Sequence, residues 1–388
     1  MFTFPKTKAN SMVTRVLLAF LTTAGLFYVN IMPALVDGLK EALHFSNQQA
    51  GLIGSANVYG AAVGAFAVVF FVHKIQWRKI AILFLSGLII IDLISINITS
   101  ATPLTIIRFF HGCIGGALVG IGFATIVKTK APDRTFGMLL LVQFGFGGLG
   151  MLLIPQLVEQ FGISVLYISL ILFSLATLLM VPFIPDFDHL ESKKPSGSSW
   201  KMLASKPLIL ALIAIFLFQA ANMGLYAFIV GLGKHYGLSI EFISVTLAWA
   251  AWVGIAGAVL VIWLSTRYGL SKPLIFGISL TALGTWALIY SGNHTIWILA
   301  NMGVGITWAF VIPYLFSICA KLDTNGQIAA MSGMASKLGL ASGPVVTGIL
   351  LGTDNYQRVI IIATVIILLS LVVALAAVKS LPGGVKTI

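Results

Sequence analysis

Charge is scarce in this chain. Only 9% of its 388 residues are Asp, Glu, Lys or Arg, and 11 are acidic. Soluble domains carry about a quarter charged residues, so a chain wetted over its whole surface is excluded. Cysteine is rarer still. Cys113 and Cys319 are the 2 present, both inside apolar runs, which excludes a disulfide framework and a cysteine metal site. They read as small packing residues. There is no His-Glu-x-x-His, no Gly-x-Ser-x-Gly, no carboxylate cluster and no P-loop, so neither an enzyme nor an ATP-driven pump is expected, and no cofactor. Apolar residues do not alternate with polar ones over short segments, which excludes a membrane β-barrel. No cleavable signal-peptide pattern is present.

What is there instead is apolar length. Hydrophobic residues make up 59% of the chain. Twelve runs are long enough to cross a bilayer as helices. They are Val13–Val36, Ala50–Val72, Ile80–Ile98, Leu104–Val127, Phe136–Val158 and Ile163–Ile184, then Leu208–Leu232, Phe242–Leu264, Leu274–Tyr290, Ile296–Ala320, Ile328–Leu351 and Val359–Val378. The chain therefore reads as an all-α integral membrane protein. Of the 23 basic residues, Lys40, Lys234 and Arg358 fall on one side of these crossings, Arg108 and Lys337 fall within them, and the rest collect on the other side. That bias places both termini in the cytoplasm and requires an even number of crossings. It also explains the net charge of +12 without nucleic acid as a partner.

One long polar break, residues 186–206, separates a first half, 1–185, from a second, 207–388. The halves look like copies. Pro155 and Pro344, Gly112 and Gly303, and Lys79 and Lys272 recur at nearly equal separations. The fourth run is the most informative. Arg108 and His111 lie one turn apart inside it, followed by Gly112, Gly115, Gly116, Gly120 and Gly122. An ionisable group at membrane depth costs at least ~2.5 kcal/mol, so it faces protein or a watery cavity. The glycines leave a bare face for close helix approach. Asp92 lies at a depth matching Arg108 in the preceding run. Arg108 thus has two readings, a substrate or coupling site and one half of a structural ion pair.

The local motifs match a known family. "RFFHGCIGGA" resembles the fourth-helix motif of the major facilitator superfamily, a basic residue followed by glycines. "FGFGGLGMLLIP" resembles its glycine-rich fifth-helix motif, common in exporters, and "GMASKLGLASGP" is the eleventh-helix counterpart. The resemblance spans the whole chain and is nearest to small bacterial drug- and sugar-efflux-like members. It implies twelve helices in two pseudo-symmetric six-helix bundles and a secondary active transporter working by alternating access. The loop between the second and third runs departs from the pattern. "HKIQWRK" keeps Arg78 and Lys79 but has Lys74 and Ile75 where Asp-Arg is usual, and "TRYGLSK" keeps Arg267 with Thr266 in the acidic position. The carboxylate that normally latches this loop is missing from both copies.

By resemblance, the first, fourth, seventh and tenth helices line the cavity. Candidate substrate residues on them are Tyr28, Asn30, Arg108, His111, Gln219, Asn222, Tyr226, Asn301 and Trp308, to which Gln143 of the fifth run and Lys337 of the eleventh are added. Gln219, Asn222 and Tyr226 share one helix face. Proton coupling would fall to Asp92, His111 or Asp37, since a histidine titrates near physiological pH. Gating candidates are Arg78, Lys79, Arg267, Gly147, Gly148, Pro155, Gly343 and Pro344. Two buried cations, one per half, suggest an anionic or zwitterionic substrate. The leading expectation is proton-coupled export of a small organic solute by a monomer in the bacterial inner membrane. The alternative is proton-coupled uptake of an organic anion. Expected partners are the solute, protons and lipid.

Overall fold

The computed structural model describes residues 5–9, 11–69, 76–187, 205–265, 267–323 and 327–381. Lys74, Ile75, Thr266 and most of the polar break lie outside these. Among the described residues every regular element is a helix, and 10 helices are long and apolar enough to cross a membrane. With the two crossings whose helices are interrupted or more charged, the twelve runs all appear as helix. The chain divides into two compact units, Met1–Ser192 and Lys193–Ile388.

In the first unit the first crossing is broken into three pieces, α1 (Met12–Ala24), α2 (Phe27–Asn30) and α3 (Met32–Leu43). Pro33 has no backbone N–H for the Val29 carbonyl, and its ring would press on that carbonyl in a continuous helix. The Ile31 N–H instead bonds back to Phe27 and Val29. The start of α1 is capped by Ser11, whose side chain accepts from the Thr14 N–H. Then follow α4 (Asn47–Val69), α5 (Trp77–Ser95), α6 (Ala101–Val127), α7 (Pro132–Phe161) and α8 (Ser164–Met180). Gly162, at φ +78°, ends α7 in a conformation that favours glycine. Phe173 of α8 stacks on Phe20 and Phe27 at 5.4 and 4.6 Å between ring centres, and meets Phe146 of α7 edge-on at 5.4 Å. These rings clamp the broken first crossing against α7 and α8.

Helices α4 and α6 run in backbone contact. A methyl group added at Gly60 would lie 2.0 Å from the Phe109 carbonyl oxygen, and one at Gly112 would lie 1.9 Å from that of Asn57. Gly64 and Gly116 extend the seam. Gly112→Ala is therefore expected to cost at least about 1–3 kcal/mol from overpacking. Gly303→Ala is expected to be neutral or stabilising by up to about 1 kcal/mol, because nothing lies within 4 Å of the added methyl. Thermal unfolding of the two variants in detergent checks this, and equal melting temperatures would contradict the seam. The apparent kinship of Gly112 and Gly303 is thus not a shared role. In the second half the tight approach is made by Gly257 and Gly305, whose added methyls would meet the Ile306 and Ala250 carbonyl oxygens at 2.0 and 2.7 Å.

The second unit holds α9 (Lys206–Ala227), α10 (Ile229–His235), α11 (Ile240–Leu264), α12 (Ser271–Ala287), α13 (His294–Ala320), α14 (Gln327–Leu351) and α15 (Tyr356–Lys379). Its first crossing is also broken, at Phe228 between α9 and α10. Both halves therefore open with an interrupted helix, a second sign of duplication. The short ninth run continues past α12 as a 3-10 turn, Leu288–Tyr290. Trp297, near a run end where a membrane-interface anchor is expected, is fully buried instead. Gly233 makes the room: a methyl there would sit 3.1 Å from the Trp297 ring.

Candidate functional site

In the first unit the hairpin of α5 and α6 brings Asp92 and Arg108 into contact. Arg108 Nη1 donates to Asp92 Oδ1 at 2.7 Å, and both side chains are fully buried. Arg108 Nη2 donates to Ser95 Oγ and to the Ile91 carbonyl at 3.3 Å. The guanidinium lies 5.2 Å from the centre of the Tyr167 ring on α8, a cation–π position. His111 Nε2 is 3.4 Å from Asp92 Oδ2, within ion-pair range but outside hydrogen-bond geometry. On its other side His111 Nδ1 lies 2.8 Å from Asn57 Nδ2 of α4. The Tyr28 ring of α2 sits 5.8 Å from that of His111. Five helices thus converge on one charged knot. Within it, Tyr28 Oη, Asp92 Oδ2 and Arg108 Nε have no hydrogen-bond partner among the described residues.

Asn30 and Gln143, separate candidates in sequence, pair with each other. Asn30 Nδ2 donates to the Gln143 carbonyl at 3.1 Å, and Gln143 Nε2 donates to Asn30 Oδ1 at 3.3 Å. A methyl at Gly147 would touch Asn30 at 3.3 Å, so this glycine gives the broken crossing its place against α7. Gly148 and Pro155 are buried in the same helix. Asp37 is buried within α3, where an outer-end position predicts exposure.

The second unit has a different character. Trp308 Nε1 of α13 donates to Gln219 Oε1 of α9 at 2.6 Å, and Gln219 Nε2 donates to Ser336 Oγ of α14 at 2.7 Å. Tyr226 meets Trp308 edge-on at 5.9 Å. Asn222 spends its amide nitrogen on its own helix, at 2.8 Å from the Phe218 carbonyl, and leaves a buried Oδ1 without a donor. Asn301 likewise bonds its own helix, at 2.9 Å from the Trp297 carbonyl. Lys337 is half-buried next to Ser336, about 15 Å into α14 at 1.5 Å per residue. Among the described residues its ammonium has no ion-pair or hydrogen-bond partner. Of the two buried cations, Arg108 is neutralised by Asp92, the ion-pair arrangement that is one of its two readings, whereas Lys337 has no such partner among the described residues. Gly343, with Pro344 beside it, packs on α9, where an added methyl would lie 2.5 Å from the Ala220 carbonyl oxygen.

The gating residues divide. Arg78 does find a carboxylate, Asp186, which it shares with Lys6. The Lys6 hydrogen bond and then Arg78 hold the Asp186 carboxyl below the usual carboxylate range. The start of α5 is thus ion-paired to a carboxylate that follows α8. Lys79 and Arg267 are exposed. Sequence reasoning missed Asn57, Ser95, Tyr167 and Ser336. Ser95, one turn after Asp92, was the most findable.

The family profile of the Major Facilitator Superfamily matches residues 16–336. A curated relative from Bacillus subtilis (strain 168), named "Putative niacin/nicotinamide transporter NiaP", is 23% identical over 345 residues, covering 83% of this chain and 84% of that one. The crystal structure of the nucleoside transporter NupG superposes with a TM-score of 0.71 at 13% identity, covering 95% of this chain and 98% of that one. A point mutant of NupG gives 0.73 at 14%, covering 95% and 99%. At such identity these structures establish the fold. The charged knot, the broken first crossings and a profile match over most of the length agree, and the chain belongs to the major facilitator superfamily, as a multi-pass membrane transporter of a small solute and not an enzyme.

Proposed function

We propose that this protein is a proton-driven secondary transporter for a small planar organic anion or zwitterion, working by alternating access, and that it carries its solute inward. The observation that carries the reading is Lys337. It is the cation inside a described crossing that no carboxylate neutralises, and a bare ammonium at membrane depth calls for an anionic partner. Trp308 and Tyr226 offer rings in the same unit, and Asn222 Oδ1 offers a free acceptor. An amide–indole–hydroxyl chain through Gln219 fixes these groups on three helices. Asp92, with His111 beside it, supplies the protonatable site for coupling. We take the inward direction, the alternative expectation, because the chain is similar along most of its length to a protein named as a niacin/nicotinamide transporter. The chain is taken to sit as a monomer in a bacterial cytoplasmic membrane with both termini inside.

The test is transport in proteoliposomes with labelled nicotinate as the probe. Acidifying the outside should drive accumulation, and collapsing the pH gradient should stop it. In thermal shift, nicotinate should raise the melting temperature and neutral nicotinamide should raise it less, since saturation at about 100 times Kd stabilises by ~2.7 kcal/mol. Loss of solute from preloaded vesicles under the same gradient would restore export. Equal shifts for the two compounds would remove Lys337 as the anion site.

A further inference from the structure

Asn57 of α4 is 3% exposed and has no part in the transport reading so far. Its Nδ2 donates to the Arg108 carbonyl at 3.2 Å and lies 2.8 Å from His111 Nδ1. A carbonyl oxygen can only accept, so the amide nitrogen, and not the amide oxygen, must occupy this corner. Both of its hydrogens are then committed, one to the carbonyl and one to the ring. His111 Nδ1 must present its lone pair. The single ring proton is left on Nε2, whose neighbour at 3.4 Å is Asp92 Oδ2. Asn57 cannot drift away from this arrangement, because the backbones touch around it at Gly60 and Gly112.

We propose that Asn57 is a positioning residue that holds His111 as the neutral Nε2–H tautomer, so that His111 sits beside Asp92 without itself carrying the proton. The groups facing the ring fit this. Asp92 reaches it from α5, Tyr28 from α2 and Asn57 from α4, while Arg108 lies on its own helix with Tyr167 of α8 against the guanidinium. With a neutral ring, Arg108 and Asp92 balance. An imidazolium would add a charge with no counterpart in a dry site. An incoming proton instead goes to Asp92 Oδ2, the carboxylate oxygen without a hydrogen-bond donor. That last step rests on the proposed proton coupling; the tautomer does not.

The experiment is 15N NMR of the full-length protein labelled at histidine and held in nanodiscs, with His111 assigned from the spectrum of His111→Gln. The wild type should show a protonated Nε2 and a bare Nδ1 that stay unchanged from pH 8 to pH 5.5. A proton on Nδ1, or a titration in that window, would overturn the proposal. Asn57→Ala frees Nδ1, so His111 should then titrate as an ordinary imidazole. Transport by that variant should fall about tenfold between pH 7.5 and pH 5.5 beyond any change in the wild type, as the ring charges. An Asn57→Ala ring that stays neutral across the window would also sink it. Absence of pH-driven transport alongside the Nε2–H tautomer would refute the coupling and leave the tautomer intact.

Discussion

Arg108→Ala is expected to destabilise the first unit by about 3–5 kcal/mol, the cost of stranding one member of a buried ion pair. Asp92 is fully buried and loses its 2.7 Å partner, while its other oxygen has no hydrogen-bond donor to compensate. Ser95 Oγ and the Ile91 carbonyl lose their donor as well, and the cation over Tyr167 disappears. The matched double variant Arg108→Leu with Asp92→Leu should recover most of the loss, because an apolar pair of similar bulk carries no desolvation penalty. Reversible unfolding in detergent reads both. A single variant within about 1 kcal/mol of wild type would mean that water, and not the protein, solvates these charges. The double variant separates structure from mechanism: it should fold and insert, yet fail to couple solute movement to a pH gradient.

The contact of Asp92 with Arg108 was legible in the sequence because depth in a hairpin is arithmetic. Two residues at matching distances from a short turn meet whatever the side chains between them do. The break in the first crossing was equally marked by Pro33, which cannot donate to Val29. Its counterpart at Phe228 has no proline and no glycine at the break, so nothing local announced it. Asn57 escaped for another reason. A lone amide in an apolar run has no partner in sequence, and its role depends on α4 touching α6 at Gly60 and Gly112. Tyr167 is one of many aromatics, and only its place beneath Arg108 distinguishes it. The Asp186 ion pair is invisible to a motif read within one loop, because Arg78 reaches a carboxylate over a hundred positions away.

The two halves share a broken first crossing and a glycine seam, but their charge differs in kind. The first has closed its charges on one another: the Arg108 cation is paired with the Asp92 carboxylate, and the His111 imidazole lies beside them. The second has a neutral chain of amide, indole and hydroxyl, and Lys337 follows its Ser336 in sequence. Under the proposed function, a duplicated scaffold with unequal polar content would let one copy handle protons while the other handles solute. The groups need not be near one another for the two to be linked, provided both bias the same conformational equilibrium.

Lys337→Ala should leave the protein folded and remove most anion transport. The side chain has no partner among the described residues to strand, so its loss leaves no buried carboxylate behind, in contrast to Arg108. What it does remove is a charge-assisted contact to the solute, worth about 1.5–3 kcal/mol, or a roughly 10- to 150-fold rise in Kd for nicotinate. Lys337→Arg keeps the charge but trades a compact ammonium for a planar fork, so it should restore only part of the affinity. Nicotinamide binding should be nearly unchanged in both variants, because a neutral amide gains little from the ammonium. Titrating each compound into wild type and both variants by scanning calorimetry gives the four ratios needed. An unchanged nicotinate affinity in Lys337→Ala would shift the anion site away from α14, and a parallel loss for nicotinamide would show that the lysine shapes the pocket and does not read charge.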